Sequence, residues 1–402
     1  MPEIDRLMEG LESGLINPFS MTVLLFLAAL LSAEVTVRVA RVPRIVSLVV
    51  AGAAIGWLRS VSATASLMPL PRSLLEVLAL VLIFEVGQRV PLSWLRRNPW
   101  LLVTSLAESA LTFAGVLSIL VLTFRIPMVQ SVFVGVICMA SSPIVVMCVS
   151  KDLAARGQIA ERALLLSTLS SVYAVLGMQF LLSGYLAANH AELEGAVQPL
   201  VQLLGSFVLG TLAAGVLRLY VFLTDARGAV LTIGIVCFCL LLYAAAPPLG
   251  ISPVLSSLFF GLMIRATDRT HRLLAHQTSE AGVMLSVGYF VLLGASFRWM
   301  GTAMTVVIAM AISVLRIGAK VLANSLLARP AALQPGRGAL VGLALAPLSS
   351  LALILAASLS QHAGLEQASD LASMVILMMA VSGPLLTEWA LRRAKESTRQ
   401  SE

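Results

Sequence analysis

ASSPIVV, residues 140–146, sets a proline inside an apolar stretch with two hydroxyls, Ser141 and Ser142, directly before it. LAPLSSLAL, residues 345–353, does the same around Pro347, with Ser349 and Ser350 following. A proline within a helix removes one backbone hydrogen bond and clashes with the preceding turn. Water satisfies the freed groups at little cost, whereas hydrocarbon leaves them to neighbouring helices and side-chain hydroxyls. The reading of both stretches therefore depends on the solvent around them.

Composition settles that solvent. Of 402 residues, 59% are hydrophobic and 12% charged, and the mean hydropathy is +0.96. A soluble chain of this size would need far more polar surface. Apolar runs long enough to cross a bilayer, about 20 residues each, recur from end to end. They predict an all-α polytopic membrane protein of thirteen spans, at about 18–37, 43–60, 74–90, 99–124, 128–150, 163–187, 197–222, 229–247, 251–265, 281–298, 301–326, 338–360 and 370–391. The N-terminal MPEIDRLMEGLESG is acidic and lacks the basic start of a signal peptide, so no cleavage is expected. Cys138, Cys148, Cys237 and Cys239 fall in apolar spans and read as packing residues rather than metal ligands. The net charge of +7 reports topology rather than nucleic-acid binding.

The basic residues support the span count. Segments after odd-numbered spans, with the C-terminal tail, carry twenty Lys and Arg, against five on the other side. The positive-inside rule then puts the N-terminus outside and the C-terminus in the cytoplasm, in a plasma membrane of bacterial inner-membrane type.

With the seventh span as a linker, the rest divides into two inverted six-helix repeats. The second span has Pro43 and then Gly52, and the ninth has Pro253 and then Gly261. The third span ends LIFEVGQRV and the tenth GYFVLLGASFR, with Phe, Gly and Arg in the same order. The fifth and twelfth carry the two prolines of the opening stretches. Interrupted helices at matching positions of inverted halves point to a binding site at their crossing. The residues expected to line it are Ser141, Ser142, Ser170, Ser171, Ser349 and Ser350, flanking Pro143 and Pro347.

Nearly the whole chain resembles the monovalent cation:proton antiporters, the sodium/proton and potassium/proton exchanger superfamily with its Kef-type transmembrane domains. AEVTVRVARVPRIVSLVVAGAAIGW is similar to the first two helices of that family and LALVLIFEVGQRVPLSWLRRNP to its third. ASSPIVVMCVSKDLAARGQIAERALLLSTLSSVYAVLG resembles its core, and ISPVLSSLFFGLMI, YFVLLGASF and LRIGAKVLANSL follow in family order. The resemblance implies a scaffold or dimerisation unit at about 18–90 and 229–298 and an ion-translocating core at about 99–187 and 301–391, with 197–222 as linker. It also implies discontinuous helices that cross, a homodimer in lipid, a small ion as substrate and no cofactor.

Two departures stand out. In such antiporters the sixth helix carries a carboxylate that binds cation or proton, and here Ser170-Ser171 fall in that slot. A hydroxyl coordinates a cation weakly and does not titrate near neutrality. After Pro347, where many relatives have Arg and Glu, this chain has LSSLAL. The charges left within the core spans are Arg316 and Lys320, four apart on one helical face, and Glu108 in the fourth span, their possible counter-charge. Glu34 and Glu85 lie in scaffold spans, where pairing with arginines is expected, and His190, His271, His276 and His362 fall in loops. Two cations against one carboxylate, beside helix N-termini, are expected to repel a bare cation. Three readings stay open: an antiporter with altered coupling, a transporter of an anion or neutral solute, and a non-transporting scaffold or sensor. No catalytic or metal-ligating constellation lies within the spans, which argues against a hydrolytic enzyme.

Overall fold

A computed structural model of the chain describes residues 27–28, 30–32, 34–36, 43–61, 72–89, 98–190, 198–225, 228–267, 280–295, 302–348, 350–360, 362 and 364–396. The helices run α1 (Arg44–Val61), α2 (Arg72–Arg89), α3 (Trp100–Ser118), α4 (Met128–Met139), α5 (Pro143–Asp152), α6 (Gln158–His190) and α7 (Gln198–Thr224). They continue with α8 (Gly228–Ala245), α9 (Pro253–Thr267), α10 (Glu280–Ala295), α11 (Ala303–Leu326), α12 (Pro335–Ala344), α13 (Ser350–Leu359) and α14 (Glu366–Arg393). Described residues between 27 and 36 are helical as well, and no described residue is in a strand.

Six stretches among the described residues are long and apolar enough to cross a membrane: Trp100–Thr123, Met128–Asp152, Gln158–Leu182, Leu200–Thr224, Ala303–Leu326 and Glu366–Arg393. Their polarity is turned outward-apolar. Helix α3 exposes Leu102, Val103, Leu106 and Leu111, while Thr104, Ser105, Glu108, Ser109 and Thr112 are buried. Helix α11 exposes Val307, Met310, Val314 and Leu322 and buries Ser313, Arg316, Lys320 and Asn324. Water would reverse both faces; lipid favours this arrangement. The protein is a multi-pass membrane protein. Of the cysteines, Cys138, Cys148 and Cys239 are buried as expected, but Cys237 is exposed on the outward face of α8.

Helix starts follow local chemistry. Pro143 opens α5, Pro253 opens α9 and Pro335 opens α12, because the first helical position has no amide bond to lose. Ser142 caps α5 by accepting from the Val145 amide at 3.3 Å, and Thr302 caps α11 by accepting from Thr305 at 3.3 Å.

Two helix pairs pack at backbone contact. On α1 and α10, a Cβ on Gly52 would lie 2.1 Å from the Val291 carbonyl oxygen, and one on Gly294 would lie 2.2 Å from that of Val49. On α9 and α2, a Cβ on Gly261 would lie 2.1 Å from the Phe84 oxygen, and one on Gly87 would lie 2.5 Å from that of Leu258. Each glycine thus faces the carbonyl three residues before the glycine of its partner helix. A second group joins α3 to α4, α6 and α11, α11 to α12, and α14 to α11, α12 and α13.

Ion pairs at the margins partly depart from expectation. Glu34 pairs with Arg44 at 3.2 Å. Glu85 pairs with Lys151 of α5, so the contact joins α2 to the broken helix. His190 ends α6 instead of lying in a loop, and His271 and His276 lie outside the described residues.

The start of α6 is capped from the far end of the chain. Glu396 accepts from the amides of Ile159 at 2.9 Å and Ala160 at 3.0 Å, and its own carbonyl accepts from the Arg156 amide at 3.1 Å. First-turn amides have no partner within their helix and carry its positive end, so a carboxylate suits them. Glu396→Ala is expected to lower stability by about 1 kcal/mol, and Glu396→Gln by less, read as thermal unfolding in detergent.

Candidate functional site at the helix interruptions

Helix α4 stops at Met139, the chain extends through Ala140 (φ −60°, ψ 147°) and Ser142 (φ −88°, ψ 102°), and α5 restarts at Pro143. Helix α12 stops at Ala344 and α13 begins at Ser350. The two interruptions touch. The Ser142 amide donates to the Pro347 carbonyl at 2.8 Å, and the Ser141 hydroxyl donates to the Leu345 carbonyl at 2.9 Å. From α6, the Ser171 hydroxyl donates to the Ser141 carbonyl at 2.6 Å. From α14, the Thr387 hydroxyl donates to the Ala344 carbonyl at 3.1 Å. Hydroxyls supply the bonds that prolines and chain breaks remove.

Carbonyls of the interrupted ends have no amide partners, and they carry the negative ends of α4 and α12. Arg316, fully buried, fills that role for both. Its Nε donates to the Cys138 carbonyl at 2.8 Å, one Nη donates to that of Ala140 at 2.5 Å, and the other donates to that of Ala346. A planar fork with five donors can serve two helix ends at once. Lys320, also fully buried and one turn along α11, donates to the Met139 carbonyl at 3.2 Å and to the carboxylate of Glu108 on α3.

This arrangement revises the expected electrostatics. The cations face C-terminal carbonyls, not helix N-termini, and Glu108 compensates Lys320 directly. Positive charge at the crossing is therefore partly neutralised by backbone dipoles.

The structure separates Ser170 from Ser171. Ser171 reaches the interruption, whereas the Ser170 hydroxyl turns back to the Ser167 carbonyl of its own helix at 3.1 Å. Ser167 and Thr168 likewise return to the Leu164 carbonyl, at 3.0 and 2.7 Å. Ser349 lies outside the described residues, and of Ser350 only the backbone, at the start of α13, is described.

A narrow cleft opens beside Ser171. Pro143, Thr168, Ser171 and Val172 line one wall, and Ile83 of α2 and Leu258 of α9 line the other. Thr168 and Ser171 turn their hydroxyls to the Leu164 and Ser141 carbonyls, so the surface left to the cleft is apolar. Sequence reasoning missed Thr168, although it sits one turn before Ser171. It also missed the buried polar face of α3, whose spacing Ser105, Glu108, Ser109, Thr112 was visible as a helical stripe.

Comparison with known proteins agrees with this architecture. The family model described as the transmembrane part of sodium/hydrogen exchangers matches residues 23–393. The chain is similar to the sodium proton antiporter MjNhaP1 of Methanocaldococcus jannaschii, solved at pH 8, with 16% identity, TM-score 0.67, and coverage of 95% of this chain and 99% of that one. A second structure of the same antiporter gives 15% identity and TM-score 0.73 at the same coverage. No curated protein sequence matches.

Proposed function

The chain belongs to the sodium/hydrogen exchanger family, and from that premise we propose that it exchanges a monovalent cation, sodium or potassium, for protons by alternating access, with coupling altered at Ser170-Ser171. The observation that carries this reading is Ser171, whose hydroxyl meets the Ser141 carbonyl where the interruptions touch, on a residue that borders the adjoining cleft. The site comprises Ser141, Ser142, Ser171, Ser349 and Ser350 between Pro143 and Pro347, with Arg316 and Lys320 holding the interrupted ends. Ser170, bonded to its own helix, contributes less.

The proposed architecture has thirteen spans in two inverted repeats. The reciprocal glycine contacts support the repeat: exchanging α1 for α9 and α10 for α2 turns one set of contacts into the other. Residues 18–90 and 229–298 form the scaffold, and 99–187 and 301–391 the moving core, with 197–222 between them. The cleft at Ser171 falls on their boundary. A homodimer in a bacterial inner membrane completes the reading, with N-terminus outside and C-terminus cytoplasmic as the basic residues favour.

The test is flux in proteoliposomes carrying a pH-sensitive dye. Wild type is expected to couple sodium or potassium to protons weakly. Ser171→Asp is expected to raise coupled exchange about tenfold or more, because it places a full negative charge at the cation site. Wild-type exchange that Ser171→Asp leaves unchanged would overturn the altered-coupling reading. The excess of Arg316 and Lys320 over Glu108 favours a second reading, transport of a small anion, which the same assay decides by offering anions in place of cations.

A further inference from the structure

The buried face of α3 carries more polar groups than a strut between α3 and α11 requires. Lys320 holds one oxygen of Glu108, and the Ser109 hydroxyl lies 3.4 Å from the other. One turn earlier, Ser105 is fully buried and its hydroxyl completes no hydrogen bond. The Tyr173 hydroxyl, from α6, is buried with Ser105 as its side-chain neighbour, the two closing no hydrogen bond of good geometry, and it lies within electrostatic reach of Glu108. Two unsatisfied hydroxyls beside a carboxylate are costly in a membrane interior. A water molecule with three partners would satisfy all of them.

We propose that Ser105, Glu108 and Tyr173, closed off by Lys320, form a proton-binding site on α3 that holds one exchangeable proton and one water molecule. The proton comes from the aqueous phase and resides on the Glu108 carboxylate; Lys320 keeps its own protons, and no other bond changes. The charged and titratable groups facing Glu108 are Lys320 and Arg316 from α11 and Tyr173 from α6, while Cys138 of α4 faces the two cations. Protonation removes the negative partner of Lys320 while its ammonium still touches the Met139 carbonyl, one residue before the extended link. Positive charge beside the crossing then rises by one, which disfavours a cation there. Proton and cation so compete through space, although α6 carries hydroxyls rather than a carboxylate at Ser170-Ser171. This role rests on the exchanger reading, but proton binding at Glu108 does not.

Infrared difference spectra of the full-length chain in lipid, acid minus alkaline, test the site without any flux. Wild type is expected to show a C=O band of a protonated carboxylic acid that Glu108→Gln abolishes and that Glu388→Gln, at a residue paired with Arg392 in the later part of α14, leaves in place. Tyr173→Phe and Ser105→Ala are expected to shift the band and reduce its response to heavy water. These two variants retain the Glu108–Lys320 pair and carry the test if Glu108→Gln fails to fold. Absence of a pH-dependent carboxyl band would overturn the proposal, as would a band indifferent to Tyr173→Phe and Ser105→Ala. An inactive exchanger with these spectral changes would leave the proton site standing and overturn only its role in exchange.

Discussion

Arg316→Ala is expected to destabilise the protein by about 5 kcal/mol, enough to remove most of the folded population. The estimate follows from the carbonyls of Cys138, Ala140 and Ala346, all bonded by the one guanidinium. Each buried acceptor left unsatisfied costs about 1–3 kcal/mol, and net folding stability is only about 5–15 kcal/mol. No water enters readily to replace the lost donors, and the negative ends of α4 and α12 are left facing one another. Arg316→Lys retains the charge but not the fork, so it is expected to serve one helix end and recover less than half of the loss. Thermal unfolding and the fraction of monodisperse protein in detergent measure both variants. Wild-type melting of Arg316→Ala would show that the interruptions are held by the serines alone.

Gly52→Ala and Gly261→Ala are expected to cost about 2–3 kcal/mol each, and by similar amounts. The added methyl would lie 2.1 Å from a carbonyl oxygen of the facing helix in both cases. Backbone cannot swing aside as a flexible side chain does, so the helices must separate and lose contact along α1–α10 or α2–α9. Gly215→Ala, on α7 with nothing within 4 Å of the new methyl, is the control, expected to be neutral or slightly stabilising by helix propensity. Thermal unfolding of the three variants reads the contrast. Markedly unequal penalties at Gly52 and Gly261 would contradict the two-fold relation between the helix pairs.

Much of this architecture was legible beforehand, for reasons local to the chain. Hydropathy marked the apolar runs, and Pro143 and Pro347 with their neighbouring serines marked the interruptions, since proline in a helix interior removes a backbone hydrogen bond and clashes with the preceding turn. The four-residue spacing of Arg316 and Lys320 put them on one face, and Glu108 was identified as their counter-charge. The contact between Glu85 and Lys151 was not legible. Lys151 lies 66 positions away from Glu85 in the last turn of α5, and no periodicity links the two.

The sequence by itself determined that this is an all-helical membrane protein with two proline interruptions, a cationic pair on one helical face and a run of hydroxyls in an apolar helix. Those properties depend on solvent transfer and backbone geometry, which act residue by residue. Tertiary structure alone decided that Ser171 rather than Ser170 reaches the crossing, because both lie on one helix and only the position of the α4–α5 link distinguishes them. It alone decided that Arg316 binds the ends of two helices rather than an acid. Those carbonyls belong to Cys138 and Ala346, brought together across a separation of more than 200 residues, and a carbonyl is present at every position, so no sequence pattern marks the ones a fold leaves without partners.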